Sequence, residues 1–165
     1  MEKILEVKNL KISFRTNNGT VKAVRDISFD LEKGRTLAIV GESGSGKSVS
    51  AMSILQLLDG NGYIAEGEVI FEGRDLTKLT QQEMYAIRGN DISVIFQEPM
   101  TSLNPVFTIG QQLDEVTLLH VPGATKAMAR EKSEDMLRLV GIIPENVYNA
   151  FPHELSGGMR QRVMI

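Results

Sequence analysis

Cysteine is absent from the 165 residues, which excludes disulfides and thiolate metal sites and suits a reducing compartment. A basic surplus is absent too: 18 Lys and Arg stand against 21 Asp and Glu, a formal charge of -3. Proteins that grip nucleic acid without reading its sequence neutralise phosphates with such a surplus, so nucleic acid is not an expected partner. No stretch approaches the roughly 18 uninterrupted apolar residues of a membrane span. Residues 1–10 alternate apolar and charged side chains, where a signal peptide would place an apolar segment. What remains is an ordinary globular composition, 42% hydrophobic and 24% charged. The length suits one compact domain, and the expectation is a soluble, cytoplasmic chain.

Periodicity divides the chain into three textures. Residues 4–14 alternate as a half-buried strand does, Asn17-Asn18-Gly19 signals a turn, and residues 21–31 alternate again, so the first 33 residues predict antiparallel β. Residues 36–40 (TLAIV) form a short apolar run, the pattern of a strand covered on both faces. A glycine-rich loop follows, then a helical stretch from Lys47 to about Leu58. Residues 68–71 predict a strand, 79–88 a short helix, and 92–96 a second apolar strand. Beyond Gln97 a loop leads to helices over about 109–119, 126–140 and 147–151, and a last helix from Ser156 onwards. There is no internal repeat and no low-complexity segment.

Gly41-Glu42-Ser43-Gly44-Ser45-Gly46-Lys47-Ser48 fits G-x-x-x-x-G-K-[ST] without a mismatch. Its glycines let backbone N–H groups converge on phosphate oxygens, and the helix that follows aims its positive end at the same point. Lys47 is expected to reach the β- and γ-phosphates, and Ser48 to ligate Mg²⁺. The motif sits between an apolar strand and an amphipathic helix, which is the context its chemistry needs. A glycine-rich turn with a solvated lysine is the bland alternative. The expected ligand is a nucleoside triphosphate.

Residues 94–99 (VIFQEP) leave two functional readings open. One is a Walker B strand with Glu98 as the acid, although Gln97 stands where that motif wants aspartate. The other gives the role to Gln97 itself, and Pro99 right after it favours a loop.

Leu155-Ser156-Gly157-Gly158-Met159-Arg160-Gln161-Arg162 is the most informative string. In local terms Ser156 is a helix N-cap preceding two permissive glycines. A serine hydroxyl and glycine amides at a helix N-terminus also make a metal-free anion site. The string resembles the signature of ABC ATPases. That resemblance implies a fold: an α/β P-loop NTPase of ABC type, with an N-terminal antiparallel β subdomain (1–33 and 62–73). A partial RecA-like core (34–61 and 74–98) and a helical subdomain (99–165) would complete it. It implies ATP and Mg²⁺ as ligands, held by Gly41, Ser43, Gly44, Gly46, Lys47, Ser48 and Val49. The resemblance makes Gln97 the hinge glutamine that touches Mg²⁺ and the attacking water, so it joins Lys47 as a catalytic residue and Ser48 as a metal contact. Ser156, Gly157 and Gly158 would close on the γ-phosphate bound by a second ATPase subunit, identical or homologous. Phe14 falls where the family places an aromatic that stacks on adenine, though a plain core phenylalanine on a strand reads the same way.

Residues 97–105 (QEPMTSLNP), with Arg88-Gly89-Asn90 before them, resemble the ATPases of dipeptide, oligopeptide and related nickel importers. The resemblance implies transmembrane permease partners, an indirect link to a solute-binding protein, and a place on the inner face of the cell membrane. In the family an apolar strand ending in Asp-Glu and a switch histidine follow the signature, and neither occurs in these 165 residues. The chain is thus expected to be the front part of an ABC-type transport ATPase and, alone, a poor catalyst. Two alternatives are a nucleotide-binding fragment without turnover and a soluble ABC ATPase acting on nucleic acid.

Overall fold

In a computed structural model of the chain, residues 2–96 and 102–165 are described. They form two compact units, Met1–Ile92 and Ser93–Ile165. Among the described residues no helix is long and apolar enough to cross a membrane.

The first unit is built on a four-stranded antiparallel sheet of β1 (Lys3–Thr16), β2 (Gly19–Glu32), β3 (Gly62–Phe71) and β4 (Arg74–Asp75), in the order β2-β1-β3-β4. The β1–β2 hairpin closes at the expected Asn17-Asn18 turn, with Thr16 opposite Gly19 and the Thr16 hydroxyl donating to the Gly19 carbonyl at 2.7 Å. Register shifts in β1 surround Asn9, whose φ of 47° is left-handed, and Gly67 opposes it. A Cβ on Gly67 would lie 2.6 Å from the Asn9 carbonyl oxygen, so only glycine admits this approach of the strands. β3 is longer than the expected 68–71, because Gly62 and Gly67 read as breakers in a sequence but as bulge and close-contact residues in a sheet. Val7, Leu10, Ile12, Val24 and Val69 of the sheet are buried.

α1 (Lys47–Ile54) packs against β1, β2 and β3. It stops four residues before the expected Leu58, because Gln56 turns left-handed at φ 52°. The N–H groups of Leu57 and Gln56 then bond back to the Met52 and Ser53 carbonyls at 2.9 and 3.0 Å. α2 (Gln81–Ile87) starts with a capping box in which the Glu83 N–H donates to the Thr80 hydroxyl while the Glu83 carboxylate accepts from the Thr80 N–H.

Two expected strands do not form. Residues 36–40 lie outside any ladder, with Leu37, Ile39 and Val40 exposed by 43%, 47% and 91%. Residues 92–96 make only an isolated parallel bridge, Arg88 to Ile92, and Ile95 and Phe96 are exposed. A central parallel strand is held by ladders on both edges and by helices on both faces. Among the described residues neither run has such neighbours, so the apolar pattern is not matched by burial.

The second unit is helical: α3 (Ile109–His120), α4 (Lys126–Leu139), α5 (Pro144–Val147) and α6 (Gly157–Met164). Thr108, Thr125 and Ser156 cap α3, α4 and α6 by accepting from the amides of Gln111, Met128 and Met159. α5 begins at Pro144, ahead of the expected 147–151, because proline is favoured in a first helical turn. Ile109, Leu137, Ile142, Val147, Leu155 and Val163 make the core.

Candidate nucleotide-binding site

The glycine-rich loop runs from Gly41 into α1 and is open to solvent through Ser45. Lys47 folds back over it: its ammonium donates to the Gly41 carbonyl at 2.7 Å, the Glu42 carbonyl at 2.6 Å and the Ser45 hydroxyl at 3.3 Å. These bonds centre a positive charge on the loop. Gly46 is the N-cap of α1 at φ 90° and supplies no side-chain cap, and no acid sits in the first turn. The amides of Lys47, Ser48 and Val49 are therefore left without intrahelical acceptors at the positive end of the helix. Ser48 is exposed beside them, while Ser50 is turned inward, its hydroxyl donating to the Gly46 carbonyl at 2.9 Å. An anion with several oxygens fits this donor set.

Glycine is required at Gly46 on two counts. Its φ is left-handed, and a Cβ there would lie 3.1 Å from the Ala23 carbonyl oxygen on β2 and 3.2 Å from Val24 Cγ2. Gly44, at φ 79°, faces open space. Ser43 lies in the turn between them and the start of the loop, exposed.

Phe14 sits near the end of β1, half-buried, opposite Val21 on β2 and Gly62 on β3. Its ring covers Gly62: a Cβ on that glycine would lie 2.8 Å from Phe14 Cε1. Gln97, with Glu98, lies outside the described residues. Ser156, Gly157 and Gly158 open α6 in the second unit, all three exposed, and a Cβ on either glycine would meet nothing within 4 Å. Like the first turn of α1, the first turn of α6 carries no acid. Both α1 and α6 thus open on glycine-bearing N-termini.

The family model for ABC transporters matches residues 24–165. This chain belongs to the ABC transporter family. The dipeptide transport ATP-binding protein DppD of Lactococcus lactis subsp. cremoris is 53% identical over 165 residues, covering 99% of this chain and 47% of that protein. The oligopeptide transport ATP-binding protein OppD of Bacillus subtilis is 52% identical, covering 99% and 46%. This ABC transporter chain thus spans about half the length of the curated relatives it matches. Among solved structures, a dimeric bacterial ABC transporter cassette superposes with a TM-score of 0.84 at 26% identity, over 98% of this chain and 67% of that one. A post-hydrolysis dimer of the same cassette, bound to ADP and Pi, gives 0.81 at 25% identity over 97% and 66%.

Sequence reasoning missed the side chains that hold these helices from behind. Arg88 bonds to the carbonyls that follow α1. Arg162, on α6, donates to the Val140 and Gly141 carbonyls at the end of α4, at 3.2 and 2.9 Å. In the second unit Asp114 accepts from the Tyr148 hydroxyl at 2.5 Å and the Ser133 hydroxyl at 2.7 Å, and the Arg130 guanidinium lies 4.6 Å from the Tyr148 ring centre. Burial first, then the hydrogen bond and charge of Asp114, push the Tyr148 phenol up to about 12. All of these are contacts between distant segments, and no local string announces them.

Proposed function

We propose that this chain is the nucleotide-binding front part of the ATP-hydrolysing subunit of a peptide importer. One observation carries the proposal: the glycine-capped N-terminus of α1, with Lys47 drawn over the loop and no side chain capping the first-turn amides. That donor set suits a triphosphate, and the dipeptide and oligopeptide transport names of the relatives point to the transport role.

Gly41, Ser43, Gly44, Gly46, Lys47, Ser48 and Val49 bind the phosphates through loop and helix amides, and Lys47 exchanges its carbonyl partners for the terminal phosphates. The Ser48 hydroxyl and Gln97 would hold Mg²⁺, which neutralises charge on the phosphate oxygens. Phe14 stacks on the base. Ser156, Gly157 and Gly158 offer their helix N-terminus to ATP on a second ATPase subunit, in keeping with the dimeric cassettes of the same fold. Permease subunits in the membrane, and through them a solute-binding protein, are the other partners, and the chain works on the inner face of the cell membrane. Three functional parts follow: the β subdomain of 1–33 and 62–73, the phosphate-loop core of 34–61 and 74–98, and the helical part of 99–165.

Thermal unfolding by far-UV circular dichroism tests the reading. Mg-ATP at a hundredfold excess over Kd stabilises a folded binder by about 2.7 kcal/mol, a rise of roughly 5 to 11 °C at this size. The expected result is that rise in the wild type and none in Lys47→Ala. An equal response in both proteins, or none in either, would sink the assignment of residues 41–49.

A further inference from the structure

The far end of α1 is built as carefully as its phosphate end. The helix closes on Gln56 at φ 52°, a left-handed place that glycine usually fills, so a side chain there is held against a steric cost. What holds it is a set of hydrogen bonds around Arg88, the residue that ends α2. Arg88 Nε donates to the Leu55 carbonyl at 2.8 Å, Nη2 to the Gln56 carbonyl at 3.2 Å, and Nη1 to Gln81 Oε1 at 3.0 Å. Gln81 Nε2 donates to Gln56 Oε1 at 3.0 Å, and Gln56 Nε2 donates to the Leu76 and Leu79 carbonyls at 2.6 and 3.2 Å. The guanidinium thus occupies the carbonyl end of the helix dipole, opposite the end that receives phosphate.

We propose that Arg88 is a positioning residue for nucleotide binding: by fixing the C-terminus of α1 it keeps the Lys47, Ser48 and Val49 amides gathered at the N-terminus. The inference rests on the reading of residues 41–49 as a triphosphate cradle. α1 has eight residues, well under the roughly 12 to 15 that an isolated helix needs to persist in water. The Met52 and Ser53 carbonyls accept from the Leu57 and Gln56 amides, a closure that needs Gln56 left-handed, and Arg88 holds the Leu55 and Gln56 carbonyls of that turn, so without Arg88 the last turn frays toward the first. Only molecules with the first turn wound offer the amide cluster, and the apparent Kd is the intrinsic Kd divided by that competent fraction.

A merely structural arginine would lower the unfolding midpoint and leave the affinity of folded molecules alone. The two roles separate when Kd for Mg-ATP is measured by isothermal titration calorimetry on this chain, well below the midpoint of every variant. Arg88→Ala is expected to bind about tenfold more weakly, a competent fraction of about one in ten. Arg88→Lys keeps the charge and one donor, and Gln81→Ala removes one arm of the network. Both are expected to lose roughly two- to fivefold, and they carry the test if Arg88→Ala does not fold. Tyr148→Phe, which weakens the other unit, should lower the midpoint and leave Kd as it was. Wild-type binding that disappears in Lys47→Ala secures the underlying reading, whereas no binding by the wild type would overturn that reading itself. Given a binding wild type, Arg88 and Gln81 variants with lowered midpoints and unchanged Kd would overturn the positioning role alone.

Discussion

Replacing Gly46 by alanine perturbs the cradle where its geometry is least forgiving. At φ 90° the backbone is left-handed, which costs an L-residue with a Cβ about 1–2 kcal/mol. The new methyl would also stand 3.1 Å from the Ala23 carbonyl oxygen and 3.2 Å from Val24 Cγ2. Ala23 belongs to β2, paired along its length with β1, so that oxygen cannot swing away as a side chain would. Crowding against it adds about 1 kcal/mol. Together these give about 2–3 kcal/mol, or a roughly 30- to 150-fold loss of Mg-ATP affinity if the cost is met on binding. Gly44→Ala shares the backbone cost, with φ 79°, but its Cβ meets nothing within 4 Å. Its loss should stay near 5- to 30-fold, about 1–2 kcal/mol. Titration calorimetry on the two variants and the wild type separates the terms. Equal losses at Gly44 and Gly46, or wild-type affinity in Gly46→Ala, would refute the steric reasoning.

Two further outcomes are expected. In Tyr148→Phe the lost hydroxyl bond to Asp114 should lower stability at neutral pH by about 1–2 kcal/mol. Because the folded phenol is raised from 10.0 to about 12, the unfolded chain ionises first as pH rises. The Tyr148 contribution is thus whole below pH 10 and is lost as pH climbs through about 12, a decline that urea titrations should find in the wild type and not in the variant. Phosphate release by the 165-residue chain should be slow even when it binds ATP, because positioning of water and metal supplies most of phosphoryl-transfer catalysis and these residues contain no apolar strand ending in Asp-Glu. Turnover typical of a transport ATPase, abolished by Lys47→Ala, would contradict this.

What could be read in the sequence was what is encoded locally. Gly41 to Ser48 and Leu155 to Arg162 each hold their glycines, caps and cation within one or two turns of chain, so the strings foretold two helix N-termini and the structure has both. The β1–β2 hairpin followed from alternation around Asn17-Asn18 for the same reason. Residues 36–40 and 92–96 went the other way. Their apolar runs announce burial, but burial is a property of neighbours, and Val40 at 91% exposure shows a strand pattern without a ladder. Gln56 is a third kind of case. Nothing in Leu55-Gln56-Leu57 signals a helix stop, because the stop is imposed by Arg88 and Gln81 from more than two dozen residues downstream.

A helix that must present bare amides to an anion cannot use them for its own capping. Such a helix forgoes at its N-terminus the acid or cap that steadies other helices, and α1 forgoes both. α6 keeps its Ser156 cap, and at eight residues each neither helix has much internal cooperativity. In each case an arginine joins the helix to something firmer. Arg88 comes from α2 to the C-terminus of α1, and Arg162 goes out from α6 to the Val140 and Gly141 carbonyls that end α4. The guanidinium suits this work because it offers several donors in a fixed plane and stays charged, so it satisfies two carbonyls at once and opposes the negative helix end. On the proposed function, side chains that touch no phosphate, Arg88 foremost, therefore set how well phosphate is held.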